Sequence, residues 1–237
     1  MEKILILAAV VPAFALLLIV YRADRLEPEP VKLVAALALG GIISTLLASF
    51  SEQLGDLALS YFLPEGTLWY DIIMYFGIVA FSEEGFKYLV LKKRSWNSPH
   101  FNCIFDGVVY AVAVSLGFAL WENIGYVLSY GLGAAVARAL TAVPGHACFG
   151  VFMGAWYGFA KKRALAGDQQ NAKKYGRMAV LIPALLHGCY DFIAVRQTES
   201  LSTVFVIFVA AMFILAFRIV RHLAKNDEYM APPWDQL

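Results

Sequence analysis

Apolar residues run along this chain in seven blocks: Ile4–Tyr21, Val31–Phe50, Leu68–Leu91, Ile104–Tyr130, Ala134–Ala160, Arg177–Val195 and Leu201–Val220. A bilayer's hydrocarbon core takes about 20 residues of helix, and each block approaches or exceeds that. Each is apolar around most of its circumference, which suits helices that face lipid or one another. The pattern predicts an all-α, polytopic membrane bundle of about seven transmembrane helices. Residues 1–220 read as a single transmembrane domain and 221–237 as a short tail, whose ending MAPPWDQL carries no lipidation motif. Ser51–Thr67 reads as an outer loop and Lys161–Tyr175 as an inner one. Leu5–Val20 is followed by YRADR and not by a small-residue cleavage site, so a retained first helix is expected.

Composition agrees with the pattern. The chain is 60% apolar with a mean hydropathy of +0.65, against roughly 45–50% apolar residues in soluble domains. Of its 19 lysines and arginines, 15 fall in the segments that are cytoplasmic if the N-terminus lies outside. Lys3, Arg138 and Arg196 fall on the outer side, and Lys87 lies within a block. That asymmetry sets the N-terminus outside and the C-terminus in the cytoplasm. The basic residues form short clusters beside apolar runs, which favours lipid as neighbour and excludes nucleic acid. Cys103, Cys148 and Cys189 show no metal spacing and read as reduced packing residues.

The exceptions to the pattern carry the chemistry. The third block holds Glu83, Glu84 and Lys87; the fourth, Glu122 and Asn123; the fifth, His146; the sixth, His187 and Asp191. An unpaired charge at mid-bilayer costs roughly 2.5–3.5 kcal/mol on insertion scales, so these groups must face one another or water. At about 1.5 Å per residue, Glu83, His146 and His187 come to mid-bilayer, with Asp191 and Glu122 further out. His187 and Asp191 share a helix face at i,i+4, and Lys87 reaches either glutamate. A small-residue stripe through Ala142, His146, Gly150, Gly154 and Gly158 turns His146 toward the bundle. Pro144–Gly145 predicts a kink that frees a carbonyl near it.

Several of these residues have plainer readings. Lys87 can snorkel to the cytoplasmic headgroups or pair with Glu84, which makes Glu84 structural. His146 alone reads as a helix-to-helix hydrogen-bonding group. Glu83, Glu122, His187 and Asp191 together are an expensive way to join helices, and they point to catalysis. A buried glutamate can act as general base for water, and an imidazole can steady an oxyanion or protonate a leaving amine. Carboxylates with neutral imidazoles are also a zinc donor set, here His146, His187, Glu122 and Asp191, although no H-E-x-x-H is present. The residues leave the metal and glutamate mechanisms both open.

EEGFK (Glu83–Lys87), FALWE (Phe118–Glu122) and HGCYD (His187–Asp191) resemble the E-E-x-x-K, F-x-x-x-E and H-x-x-x-D motifs of the PrsW family of intramembrane proteases. PGHACFG around His146 is similar too, and the resemblance covers nearly the whole chain. That family is similar in turn to the CAAX prenyl proteases, with motifs E-E-x-x-x-R, F-x-x-x-H and H-x-x-x-N. This chain departs from those at Lys87, Glu122 and Asp191. An ionised aspartate cannot donate to an oxyanion as an asparagine can, so Asp191 is expected to orient His187 or to bind metal.

The resemblance implies an endopeptidase of the bacterial cytoplasmic membrane that cuts single-span, anti-sigma-factor-like proteins near the outer face, a site-1 type of cleavage. It implies catalytic Glu83, Glu122, His187 and Asp191, with Glu84, Lys87 and His146 auxiliary. Gly117 and Gly125 are expected to make room for a substrate. The alternatives are a CAAX-type prenyl endopeptidase and a proton-coupled transporter. The latter uses similar midplane residues, but the sequence lacks inverted repeats.

Overall fold

The computed structural model describes residues 2–196 and 198–230, so the ending Ala231–Leu237 of the expected tail lies outside the described residues. The helices are α1 (Glu2–Ala23), α2 (Val31–Phe62), α3 (Leu68–Ile72), α4 (Phe81–Ser95), α5 (Ile104–Leu140), α6 (Ala142–Leu165), α7 (Gln169–Val195) and α8 (Glu199–Lys225). A π-helical stretch, Ile73–Ala80, joins α3 to α4 without interruption. Among the described residues no strand forms; Cys103 and Tyr229 make one isolated antiparallel bridge. Among the described residues five helical stretches are long and apolar enough to cross a membrane, the longest being Ile104–Leu165, which folds on itself as α5 and α6. The stretch with Glu83, Glu84 and Lys87 is not among them, because its charges interrupt the apolar run.

α5 is the central post. From Ile104 to Ala119 every residue is buried, and α6 lies antiparallel along it on the small-residue stripe. A Cβ at Gly154 would stand 2.4 Å from the Gly107 carbonyl oxygen and from Val108 Cα, so only glycine permits this approach. Gly117 serves a similar seam on another side. Its Cβ would meet the Ala38 carbonyl oxygen of α2 at 2.0 Å, so it holds two helices together and does not make room for a substrate. Gly125 has nothing within 4 Å of the corresponding position.

Besides the expected inner loop Lys161–Tyr175, which is helix except at 166–168 because α6 runs to Leu165 and α7 begins at Gln169, the structure departs from the block pattern in two places. α2 does not stop at Phe50. It continues to Phe62, and most of the expected outer loop Ser51–Thr67 is helix. Leu54, Leu57, Tyr61 and Phe62 face outward along this extension, while Ser51 reaches Ser82 of α4 at 3.1 Å. Ser51, Glu52 and Asp56, which follow the block, lie on the inner side of a longer helix. The second departure lies between α5 and α6. The chain reverses at Gly131 (φ 78°, ψ −163°), a conformation open to glycine, and then breaks again at Thr141. That second break lies three residues before Pro144, because a proline has no N–H for the carbonyl four residues upstream and its ring collides with it. The carbonyl without a helical donor is therefore that of Leu140, upstream of the expected Pro144–Gly145 kink.

Candidate active site

Four stretches of chain deliver the intramembrane polar groups to one place. α4 supplies Glu83, Glu84 and Lys87, one turn after the π-helical stretch. Such stretches carry more residues per turn than an α-helix and recur at functional sites; here the helix that follows turns both glutamates inward. α5 supplies Glu122, α6 supplies His146, and α7 supplies His187 and Asp191. Pro183, one turn before His187, interrupts the backbone ladder of α7.

Lys87 sits at the hub. It is wholly buried (0% exposed), so it does not snorkel. Its Nζ lies 3.0 Å from Glu83 Oε2, 2.7 Å from Glu84 Oε1 and 3.2 Å from His146 Nδ1. It also stands 3.9 Å from the centre of the Phe118 ring. An ammonium has no acceptor lone pair, so His146 must accept at Nδ1 and carry its hydrogen on Nε2. Nε2 then donates to Glu122 Oε2 at 2.9 Å. His187 contacts carboxylates at both nitrogens: Nδ1 is 3.0 Å from Glu84 Oε1, and Nε2 is 3.3 Å from Asp191 Oδ2. Its ring stacks on Phe149 with centroids 4.6 Å apart. The two imidazoles meet edge to face at 5.3 Å.

All seven residues singled out in the sequence meet in this cluster, and two further ones join it. Arg138, on the segment between Gly131 and Thr141, donates to Glu122 Oε2 at 2.8 Å and to Asn123 Oδ1 at 3.0 Å. In the sequence it reads as an outer-side basic residue. Its partner Asn123 in turn donates to the Ala9 carbonyl of α1 at 2.9 Å. Glu52 is the second addition. The α2 extension carries it to the wall of a cavity of ≈ 290 Å³ that is also lined by Glu83, Glu122, His146, His187 and Asp191. Its Oε1 is buried without a hydrogen-bond partner. Glu84 and Lys87 are not on that wall, so of the paired glutamates Glu83 alone faces the cavity.

The cluster's donor set suits a metal in type and number. Glu83, Glu84, His146 and His187 each offer a ligand atom, all within 4.8 Å of one another, and imidazoles with carboxylates are what zinc takes. Glu84 Oε2 is buried and has no other partner. This set replaces the Glu122 and Asp191 of the sequence expectation with the paired glutamates. The Lys87 ammonium contacts three of the same four residues, so a cation there must displace it.

The chain is similar to known proteins over most of its length. A family model described as PrsW family intramembrane metalloprotease matches residues 28–217. The protein called Protease PrsW in Halalkalibacterium halodurans is 31% identical over 94% of this chain and 98% of its own length. The Geobacillus kaustophilus protein of the same name is 34% identical over 97% and 96%. The one from Bacillus subtilis is 34% identical over 80% and 82%. No solved structure matches the chain. A match across most of the chain, on a helical bundle whose intramembrane acids and imidazoles converge on one cavity, establishes that the chain belongs to the PrsW family of intramembrane proteases.

Proposed function

We propose that the chain hydrolyses peptide bonds of single-span, anti-sigma-factor-like proteins inside the bacterial cytoplasmic membrane, a site-1 type of cleavage, with Glu83 as the base that activates water. The observation that carries this reading is that Glu83, and not Glu84, faces the cavity that also holds Glu122, His146, His187 and Asp191. In this reading the N-terminus is outside and the C-terminus cytoplasmic, which puts the cavity's Tyr126, Arg138 and Val195 toward the outer face.

A transmembrane substrate must unwind before its amide is open to attack, since a helix shields its own backbone in lipid. Water in the cavity gives a proton to Glu83 as its oxygen adds to the scissile carbonyl. His187, oriented by Asp191 and Glu84, gives a proton to the leaving amine, and Glu83, 3.8 Å from its Nδ1, returns to it the proton taken from water. Glu122 accepts from both Arg138 and His146, so it serves as the anchor that orients His146. Lys87 balances the charge of the buried pair. A zinc ion would be held by Glu84, His146 and His187 and would supply Lewis-acid polarisation of the substrate carbonyl. Glu83 stays on the cavity side in either case.

The test is co-reconstitution of purified chain with single-span substrates, with mass spectrometry of the new termini. Cleavage within or beside the span, lost in His187→Ala, is expected. Proton or ion flux without cleavage would mean a transporter, and cleavage restricted to a prenylated C-terminus would mean a CAAX-type endopeptidase.

A further inference from the structure

A second acidic cluster lies away from the cavity, where the α1–α2 loop, the α4–α5 loop and the residues after α8 meet. Asp24, Glu27 and Glu29 come from the first, Asn102 from the second with Asp106 in the turn of α5 that follows it, and Asp227 from the third. Four of its carboxylates, Asp24, Glu29, Asp106 and Asp227, share one arrangement: one oxygen is engaged internally and the other has no partner. Asp106 Oδ2 accepts from the backbone N–H of Asn102 at 2.9 Å and of Cys103 at 2.6 Å, capping α5. Asp227 Oδ1 accepts from the Phe105 N–H at 3.2 Å, and Asp24 Oδ1 from the Leu26 N–H at 3.3 Å. Glu29 Oε2 accepts from the Tyr110 hydroxyl. Asn102 donates its amide to Glu27 at 2.6 Å.

What remains is Asp24 Oδ2, Glu29 Oε1, Asn102 Oδ1, Asp106 Oδ1 and Asp227 Oδ2, all buried and all without a hydrogen-bond partner. Glu29 is 2% exposed and Asp106 1% exposed. Asp24, Glu29 and Asp106 each place a ligand oxygen within 4.8 Å of the others, and Asp106 stands within the same distance of Asp227 and of the Cys103 sulfur. Among the described residues no lysine, arginine or histidine forms an ion pair with any of these acids; the neighbouring Lys162 pairs with Glu228 at 2.5 Å. Buried carboxylates left in this state are costly, and the remedies are a shared proton or a cation.

We propose that this cluster is a second metal site, one that takes a hard divalent cation (Mg2+, Ca2+ or Mn2+) on oxygen ligands from Asp24, Glu29 and Asp106, with Asp227 beside Asp106. Carboxylate and amide oxygens select such ions over softer ones. The prior fixing of one oxygen on each carboxylate presents the other without rearrangement. Asp24, Asn102 and Asp227 are only half-buried, which leaves a way in from the aqueous side. Burial, the largest cause, pushes Asp24 up to about 6 and Glu29 up to about 7, and that is the cost of holding the acids without a cation. The bound ion would tie the α1–α2 loop and the residues after α8 to the first turn of α5. The site stands independently of the proteolytic mechanism.

The test is a Mn2+ titration of chelator-stripped, desalted protein in detergent, followed by electron paramagnetic resonance. One saturable Mn2+ is expected that excess Mg2+ or Ca2+ displaces. It should be lost in Glu29→Gln and persist in His146→Ala,His187→Ala, which separates it from any metal at the catalytic cluster. Should Glu29→Gln fail to fold, Asp24→Ala changes only a half-buried loop residue and should weaken Mn2+ binding by about tenfold or more. Wild type that binds no Mn2+, or a folded Glu29→Gln or Asp24→Ala that binds it as wild type does, would overturn the proposal. Binding lost only in the double histidine variant would overturn it equally.

Discussion

The bundle holds two buried gatherings of acids, and it treats them in opposite ways. Around the cavity, Glu83, Glu84, Glu122 and Asp191 are interleaved with Lys87, Arg138, His146 and His187, and each of these acids has a basic partner within 3.3 Å. At the end where the α1–α2 and α4–α5 loops meet, Asp24, Glu29, Asp106 and Asp227 have backbone and hydroxyl donors but, among the described residues, no basic partner. Around the cavity the chain supplies the balancing cations itself, and only Glu52 Oε1 and Glu84 Oε2 among these acids stay buried without a partner. A set whose carboxylates each keep one oxygen unpaired is arranged to be completed from outside. The difference lies in which carboxylate oxygens are left over and where they point, and it is invisible in a count of acids.

Breaking the balance of the first cluster should have the largest effect. Lys87→Met leaves Glu83 and Glu84 buried without their cation, and loss of one partner from a buried pair costs about 3–5 kcal/mol. A drop in thermal unfolding midpoint, or loss of monodisperse protein in detergent, would show it. Arg138→Met should keep the fold but release Glu122 and Asn123 from their common partner. The imidazole of His146 then loses its fixed position, and misplacement of this order lowers turnover by about 10²-fold. A kinetic assay that found kcat unchanged would remove Arg138 from the site.

Smaller effects sharpen the contrast between the packed seam and the open cavity. Gly154→Leu drives a side chain into the α5 backbone, and overpacking of this kind costs about 1–3 kcal/mol, seen as a lower unfolding midpoint. Glu52→Gln touches no partner at Oε1 and should leave stability unchanged. Because it faces the cavity, it should alter KM or kcat by roughly tenfold or less, in the range of a single lost polar contact to substrate.

Much of this was legible in the sequence, and for a physical reason. A charge inside an apolar run is costly, so Glu83, Glu84, Lys87, Glu122, His146, His187 and Asp191 stand out on sight, and helical spacing correctly groups His187 with Asp191. The small-residue stripe of α6 was equally plain. What escaped was polar character that sits where polar character is ordinary. Ser51 and Glu52 read as the start of a loop because they follow Phe50, and only the packed structure reveals a continuing helix that turns them inward. Arg138 reads as a flanking cation because the reversal at Gly131 is needed to bring it back to Glu122. The π-helical stretch Ile73–Ala80 leaves no trace in an unbroken apolar run. Asp24, Glu29, Asp106 and Asp227 each look like a normal loop or cap residue, and their convergence depends on contacts across about 200 positions of sequence.

The most direct test is the rate at which Glu83→Gln cleaves a co-reconstituted single-span substrate, measured with the zinc content of the same preparation. If Glu83 is the base facing the cavity, the variant should fold, keep whatever zinc wild type holds, and cleave about 10²–10⁴-fold more slowly. Cleavage within a few-fold of wild type would contradict that role and move the search for the base to Glu52 or Glu122.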